Sequence, residues 1–252
     1  MSDLAIENKR RSAILLGVNV ALATALIAAI LVLVGLAWIG VFVAAAVAGL
    51  LGAAAYFTAD AAVLRTCRAR PADPETHARL HNLVEGLCIV NGLTAPSLYV
   101  VDDPVPNAFA AGRSPRHANL AVTTGLLDLV TRVELEAVLA HQLSQIKSND
   151  IAPATLAASV LGWPLAIGGL RHRMVDSQRS GRADRAAVSM TRFPPGLIGA
   201  LEQVTSHPGT LDRVPRACEH LWFAPMLTMG KQDSVAAVPA PVRDRLAVLR
   251  EL

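Results

Sequence analysis

TRVELEAVLAHQLSQIKSND, residues 131–150, is the stretch that decides the fold of this chain. Its apolar residues recur at helical spacing and predict a helix from about Val133 to Lys147. His141 and Gln145 lie four positions apart, so they project from the same face of that helix. We therefore expect this helix to be a core element around which the rest of the domain is ordered.

A long uncharged run near the N-terminus predicts a membrane hairpin. No Asp, Glu, Lys or Arg occurs from Ala13 to Thr58, and each membrane-spanning helix needs about 20 residues. The run therefore predicts two spans, near Ala13–Val34 and Trp38–Phe57, within a hairpin at 13–58. A polar tail (1–12) precedes it and a basic linker (59–72) follows. Basic residues flank both ends of the hairpin: Lys9, Arg10, Arg11, Arg65, Arg68 and Arg70.

This charge distribution predicts the orientation of the chain. By the positive-inside rule, both ends of the hairpin should be cytoplasmic. We therefore expect a multi-pass protein of the cell (inner) membrane, with its N-terminus and main domain in the cytoplasm. Its expected partners are the bilayer and another membrane protein or complex. The small residues of the second span are expected to pack against the first span, and contact with another membrane protein is the alternative.

The composition supports a membrane protein and argues against nucleic-acid binding. Charged residues make up 17% of the chain and the mean hydropathy is +0.42, whereas soluble domains carry about 25% charge. The net charge is only +3 and aromatic residues are 4%, so a basic stacking surface for nucleic acid is not expected. The three cysteines form no C-x-x-C pair, which predicts packed, reduced thiols.

A second apolar segment, 151–170, follows the central helix. Pro153 and Pro164 interrupt it, and a basic run follows that would be unfavourable on the far side of a membrane. We therefore expect this segment to lie against the membrane or the hairpin and not to cross. Around it, the pattern predicts a helix starting at Asp73-Pro74, strands at 97–101, 107–110 and 119–123, a helix at 182–203 broken at Pro194, and a terminal helix at 242–252.

Three further motifs accompany the central helix: PNAFAAGR at 106–113, LAVTTGLL at 120–127 and ELEAVLAH at 134–141. With these motifs the chain resembles the HtpX-like family of membrane zinc metallopeptidases. The resemblance implies an α+β fold, in which an N-terminal transmembrane helical hairpin precedes a mostly helical zincin-like domain with a small β-sheet. That peptidase-fold domain would occupy residues 73–252.

The same resemblance implies that the zinc site is altered. The family's zinc helix carries H-E-x-x-H, in which two His bind zinc and the Glu is the general base. Here His141 is kept, Gln142 stands at the base position and Gln145 at the second ligand. Ala183 and Asp184 match the family's later A-D pair, which puts the third ligand on Ser180. We therefore expect no catalytic residue, no bound metal and no zinc cofactor.

Other residues were weighed as site candidates. The resemblance makes Asn107, Phe109 and Asp184 candidates for a peptide groove or its scaffold. His77 and His81 lie four apart and are an alternative ligand pair, although their spacing shows no third ligand. A solvated helix face beside the apolar stripe explains this pair better.

These substitutions predict a protein that is not an enzyme. The main expectation is a pseudopeptidase, a membrane-anchored binding, regulatory or assembly subunit of a membrane protein complex. The alternative is a divergent zinc metalloendopeptidase in membrane-protein quality control. A third hypothesis places the whole role in the small-residue hairpin, as a purely structural membrane protein.

Overall fold

Two long helices, α1 (Asp3–Leu33) and α2 (Ala37–Thr66), form the N-terminal part of the computed structural model, which describes residues 3–33, 37–159, 178–207, 216–224 and 242–252. Segments Asp3–Ile30 and Phe42–Thr66 are long and apolar enough to cross a membrane. Both helices extend beyond the predicted hairpin, α1 into the polar tail and α2 into the basic linker. The reason is visible at Asn8, which is buried because α1 packs its first turns against the main domain.

Close packing holds the two helices of the hairpin together. A side chain at Gly52 on α2 would place its Cβ only 2.6 Å from Val20 Cγ2 on α1, so glycine permits the close approach. Asn19, a candidate for a hydrogen bond between helices, instead donates to the Leu15 carbonyl of its own helix at 2.9 Å. The small residues of α2 therefore have a role in packing within the hairpin.

A four-stranded mixed sheet follows: β1 (Arg70–Pro71), β2 (Ser97–Val101), β3 (Ala108–Ser114) and β4 (His117–Thr123). The strand order is β1-β2-β4-β3, with β2 and β4 parallel and the other pairs antiparallel. β3 is longer than predicted because the strand continues through Gly112. A Cβ there would lie 2.2 Å from the His117 carbonyl oxygen, so only glycine allows the close approach of β3 and β4.

Most of the remaining described chain is helical. The helices are α3 (Ala78–Asn91), α4 (Thr124–Leu129), α5 (Arg132–Lys147), α6 (Ile151–Ala158), α7 (Arg179–Thr191), α8 (Pro194–Ser206), a 3₁₀ helix (Arg216–Leu221) and α9 (Val242–Leu249). The prediction that a helix starts at Asp73 is wrong. Asp73 instead accepts hydrogen bonds from the backbone and side chain of Thr76 in a turn, and α3 begins at Ala78.

The central helix α5 lies in the main hydrophobic core. A capping box starts it, because Thr131 accepts from the Glu134 amide and the Glu134 carboxylate accepts from Thr131. Its side chains from Ala137 to Ile146 are all buried. α3, α7, α8 and β3 all pack against it. The expected α+β architecture, with an apolar hairpin and a small sheet, is confirmed.

The second apolar segment is described only in its first half. Ile151–Ala158 forms helix α6, which is buried against β3, α1 and α2. Pro153 falls in the first turn of this helix, where its missing amide costs no hydrogen bond. Residues 160–177, with Pro164 and the first half of the basic run (Arg171, His172 and Arg173), lie outside the described residues.

Candidate functional site

The candidate site lies where α5, α7 and α9 meet, around the fully buried His141. Its Nδ1 lies 2.8 Å from Asp184 Oδ1 on α7. Arg245 on α9 holds the same carboxylate with two hydrogen bonds of 2.7 Å each, from Nε and Nη2. The Phe223 ring packs edge-on against His141, with centroids 5.0 Å apart. The helix face bearing His141 is therefore enclosed on both sides.

The other ring nitrogen of His141 is held by Gln145. Gln145 Nε2 lies 2.9 Å from His141 Nε2, and because an amide nitrogen only donates, this ring nitrogen accepts. The proton of the neutral ring is therefore on Nδ1, where it is donated to Asp184. Gln145 Oε1 in turn accepts from Arg179 Nη2, and Arg179 Nη1 reaches the His220 carbonyl at 3.3 Å. A continuous network thus runs from Arg245 to Arg179.

Burial sets the charge state of this network. Desolvation lowers the pKa of His141 and outweighs the opposing influence of Asp184, so the imidazole is neutral at physiological pH. Burial alone would raise the pKa of Asp184, but the hydrogen bonds from Arg245 and His141 lower it to about 2. Burial lowers the pKa of Arg179 to about 10, which leaves its guanidinium charged. The network therefore contains one carboxylate bound by Arg245 and a neutral His141, and a second charged arginine, Arg179, bound to Gln145.

Gln142 occupies the predicted base position and points to the sheet. Its Nε2 donates to the Ala108 carbonyl of β3 at 3.3 Å, and its Oε1 is buried without a hydrogen-bond partner among the described residues. An amide has no basic lone pair that could take a proton from water at neutral pH. In this arrangement Gln142 ties α5 to β3.

The described residues do not fit a zinc ion. Ser180 is buried on α7, one residue from Arg179, and a neutral hydroxyl is a weak ligand for zinc. Both nitrogens of His141 already have hydrogen-bond partners, and the Arg179 guanidinium brings positive charge to Gln145. Within the described ranges, no group of three His, Cys, Asp or Glu side chains could hold a metal ion.

Asp184, one of the three scaffold candidates, lies in this site on α7, whereas Asn107, immediately before β3, and Phe109, on β3, lie beside it. Asn107 exchanges hydrogen bonds with the Ala224 backbone, at 3.0 Å from its Nδ2 and at 3.2 Å to its Oδ1. Phe109 is fully buried and its ring packs edge-on against Trp222, with centroids 4.7 Å apart. Both residues therefore hold the segment that follows the 3₁₀ helix.

Sequence reasoning missed the role of Arg179. The sequence shows it only as part of a basic run, and its contact with Gln145 is a tertiary one. The alternative histidine pair is placed elsewhere: His77 stands at the start of α3 and His81 hydrogen-bonds the Ala72 carbonyl at 3.0 Å. That pair remains a prediction without a third ligand among the described residues.

The class of protein follows from three features: the apolar hairpin, the small mixed sheet and the buried helix α5 that carries His141. Together they are typical of a membrane-anchored, peptidase-type domain. A sequence profile of peptidase family M48 matches residues 74–204. The chain is 31% identical over 240 residues to a protease HtpX homolog of Caldanaerobacter subterraneus, covering 79% of this chain and 80% of that one. It is 33% identical over 232 residues to a protease HtpX homolog of Dictyoglomus thermophilum, covering 78% and 76%.

The chain therefore belongs to peptidase family M48, as an HtpX-like member and a membrane protein. This finding contradicts the main functional expectation, a pseudopeptidase serving as an accessory subunit. That expectation rested on the residues at 142, 145 and 180 alone, whereas the relatives that cover most of the chain are named as proteases.

Proposed function

We propose that this protein acts in membrane proteolysis as a divergent metalloendopeptidase of the HtpX-like family. The observation that carries the proposal is the family match, which spans strands β2 to β4, the central helix and α7 together. The contacts around His141 support it, because Asp184 and Arg245 orient the ring as a carboxylate orients a metal-binding histidine.

The proposed substrates are membrane or unfolded polypeptides near the bilayer. The two apolar helices would anchor the domain, and Asn8 ties α1 to it by donating to Asp150 Oδ1 at 2.6 Å and to the Ser148 carbonyl at 3.0 Å. This attachment would keep the site close to the membrane surface. We further propose a multi-pass arrangement with a cytoplasmic N-terminus and main domain, based on the flanking basic residues.

Three site residues differ from those of a zinc peptidase. Gln142 lacks the basicity of a carboxylate, and Gln145 and Ser180 stand at the positions of two ligands. The expectation of no zinc cofactor stays a prediction, and it conflicts with metal-dependent hydrolysis. No hydrolytic step can be assigned to the described residues in this arrangement, so hydrolysis has to be measured.

The test is cleavage of an unfolded protein by the full-length chain in detergent. β-Casein is a suitable probe, with His141→Ala as the site variant and His207→Ala as a matched control on the exposed end of α8. The proposal expects fragments from the wild type and from His207→Ala, and none from His141→Ala. Equal cleavage by His141→Ala, or no cleavage by any of the three, contradicts it.

A further inference from the structure

Two of the three cysteines lie together at the junction of the hairpin and the domain. Cys67 directly follows α2, and Cys218 lies in the 3₁₀ helix. Their exposed fractions are 3% and 0%, and their thiols hydrogen-bond each other. Both belong to one apolar cluster with Leu221 and Trp222. The chain separating the two thiols includes the sheet and the central helix, so this contact is made only in the folded protein.

Cys218 belongs to a segment, residues 216–224, that covers the free edge of β3. We call this segment the strap. Its Phe223 amide donates to the Ala108 carbonyl at 2.7 Å, and Trp222 forms an antiparallel bridge with Phe109. An edge strand offers its outward backbone groups to any extended polypeptide. The strap therefore occupies part of the edge at which such a polypeptide would add a strand.

The strap also encloses the site. The Phe223 carbonyl accepts from Arg245 Nη1 at 2.6 Å, and the Phe223 ring covers one side of His141. In the middle of the strap, the His220 carbonyl accepts from Arg179. Displacement of the strap would therefore expose β3 and the ring of His141 in one movement.

We propose that Cys67 and Cys218 form a disulfide that fastens the strap to the end of α2 and keeps β3 and His141 covered. A low-molecular-weight disulfide such as glutathione disulfide is the oxidant. One thiolate attacks it, forming a mixed disulfide and releasing one glutathione thiolate. The second cysteine thiolate then attacks the protein sulfur, forming the Cys67–Cys218 bond and releasing the second glutathione. Two protein thiols are oxidised and one glutathione disulfide is reduced to two thiols.

The surroundings make this reaction slow until the strap loosens. The hydrogen bond with Cys218, followed by burial, raises the pKa of Cys67 well above its usual range, so the reactive thiolate is scarce. Once the Cys67–Cys218 disulfide has formed, it holds the strap in place without any further reagent. Disulfide formation does not depend on the proposed peptidase function, whereas its control of polypeptide entry rests on that function.

The experiment treats the full-length protein in detergent with glutathione disulfide at about pH 8.5, where more thiolate is available. Intact mass and peptide mapping then identify the linked cysteines. Cys88→Ala is the matched control, because Cys88 is also buried but belongs to the separate main core. The wild type and Cys88→Ala are expected to gain the Cys67–Cys218 link, and Cys67→Ala and Cys218→Ala are not. Absence of the link in the folded wild type, or its formation only in denaturant, overturns the proposal.

Amide hydrogen exchange tests the fastening itself. The Phe223 amide should exchange at least about tenfold more slowly after oxidation, and reduction should reverse the change. Unchanged exchange in the oxidised protein overturns the role of the disulfide in holding the strap. Neither measurement uses a substrate, so a protein without peptidase activity would still give a clear answer.

Discussion

Replacing Arg245 on α9 with an uncharged residue should strongly destabilise the folded protein. Arg245 is 3% exposed and makes two hydrogen bonds with the buried Asp184. Arg245→Met keeps most of the apolar side-chain volume but leaves the carboxylate with His141 alone. Breaking a buried ion pair in this way costs about 3–5 kcal/mol. At about 2–4 °C per kcal/mol for a chain of this size, Tm should fall by about 6–20 °C.

The pH dependence of protein stability tests the same contact between Asp184 and Arg245 independently. The pKa of Asp184 is lowered from 3.8 to about 2 in the folded protein. A lowered carboxyl pKa stabilises the fold above the unfolded value, and the contribution disappears as pH falls through the folded value. The difference corresponds to about 2 kcal/mol. In the wild type this stability should be lost between about pH 4 and pH 2, and Arg245→Met should show no such loss.

The assay is thermal unfolding in detergent, followed by tryptophan fluorescence. Arg250→Met is the matched control, because Arg250 pairs with Glu202 on the surface, where both side chains are more than half exposed. Its Tm should change by no more than about 2 °C. Replacing both buried partners, with Asp184→Asn and Arg245→Met, should cost less than Arg245→Met alone because no charge is left unpaired. A Tm for Arg245→Met within about 2 °C of the wild type would refute the reasoning.

Three further predictions concern contacts seen in the structure. Gln142→Leu should keep or raise Tm, because it removes a buried oxygen that has no hydrogen-bond partner among the described residues. Gln145→Leu should lower Tm by at least about 4 °C, because Arg179 and His141 each lose a hydrogen-bond partner. A larger loss of Tm in Gln142→Leu than in Gln145→Leu would contradict the network. Gly112→Ala should unfold at a much lower temperature, because the new Cβ would meet the His117 carbonyl. Gly86→Ala, at a position on α3 with open space around it, should be neutral or stabilising by up to about 1 kcal/mol. Similar Tm values for the two variants would count against the close approach of β3 and β4 at Gly112. Asn8→Ala should speed amide hydrogen exchange in the first turns of α1, because α1 loses its hydrogen bonds to Asp150 and Ser148. Glu7→Ala on the exposed face of α1 is the control. Equal exchange rates in the two variants would contradict the docking of α1 on the domain.

Local patterns predicted the elements with strong periodicity or charge contrast. Apolar spacing alone predicts the start of the central helix to within one residue, and the structure shows that a capping box at Thr131 fixes it there. The uncharged run predicts the hairpin but not its ends, since the contact between Asn8 and the domain joins residues 142 positions apart. The prediction that a helix starts at Asp73 is wrong because the Asp73 carboxylate closes a turn with Thr76. An aspartate that caps a helix accepts a backbone amide in the same way, so the sequence pattern is the same.

The site shows where sequence reasoning ends. The residues at 141, 142, 145 and 180 were identified by motif, but their partners come from distant segments of the chain. Arg179 is 34 positions from Gln145, and Arg245 is 61 positions from Asp184, so folding alone brings them together. The functional expectation failed for another reason. It weighed a few substituted positions, whereas the relatives share most of the chain and are named as proteases.

The central proposal is that this HtpX-like protein cleaves polypeptides at the site around His141. The most direct measurement is β-casein cleavage by the full-length protein and by His141→Ala in detergent. We predict fragments from the wild type and none from His141→Ala, and zinc content determined on the same samples checks the separate expectation of no zinc cofactor. Equal cleavage by the two proteins, or no cleavage by the wild type, would contradict the proposal.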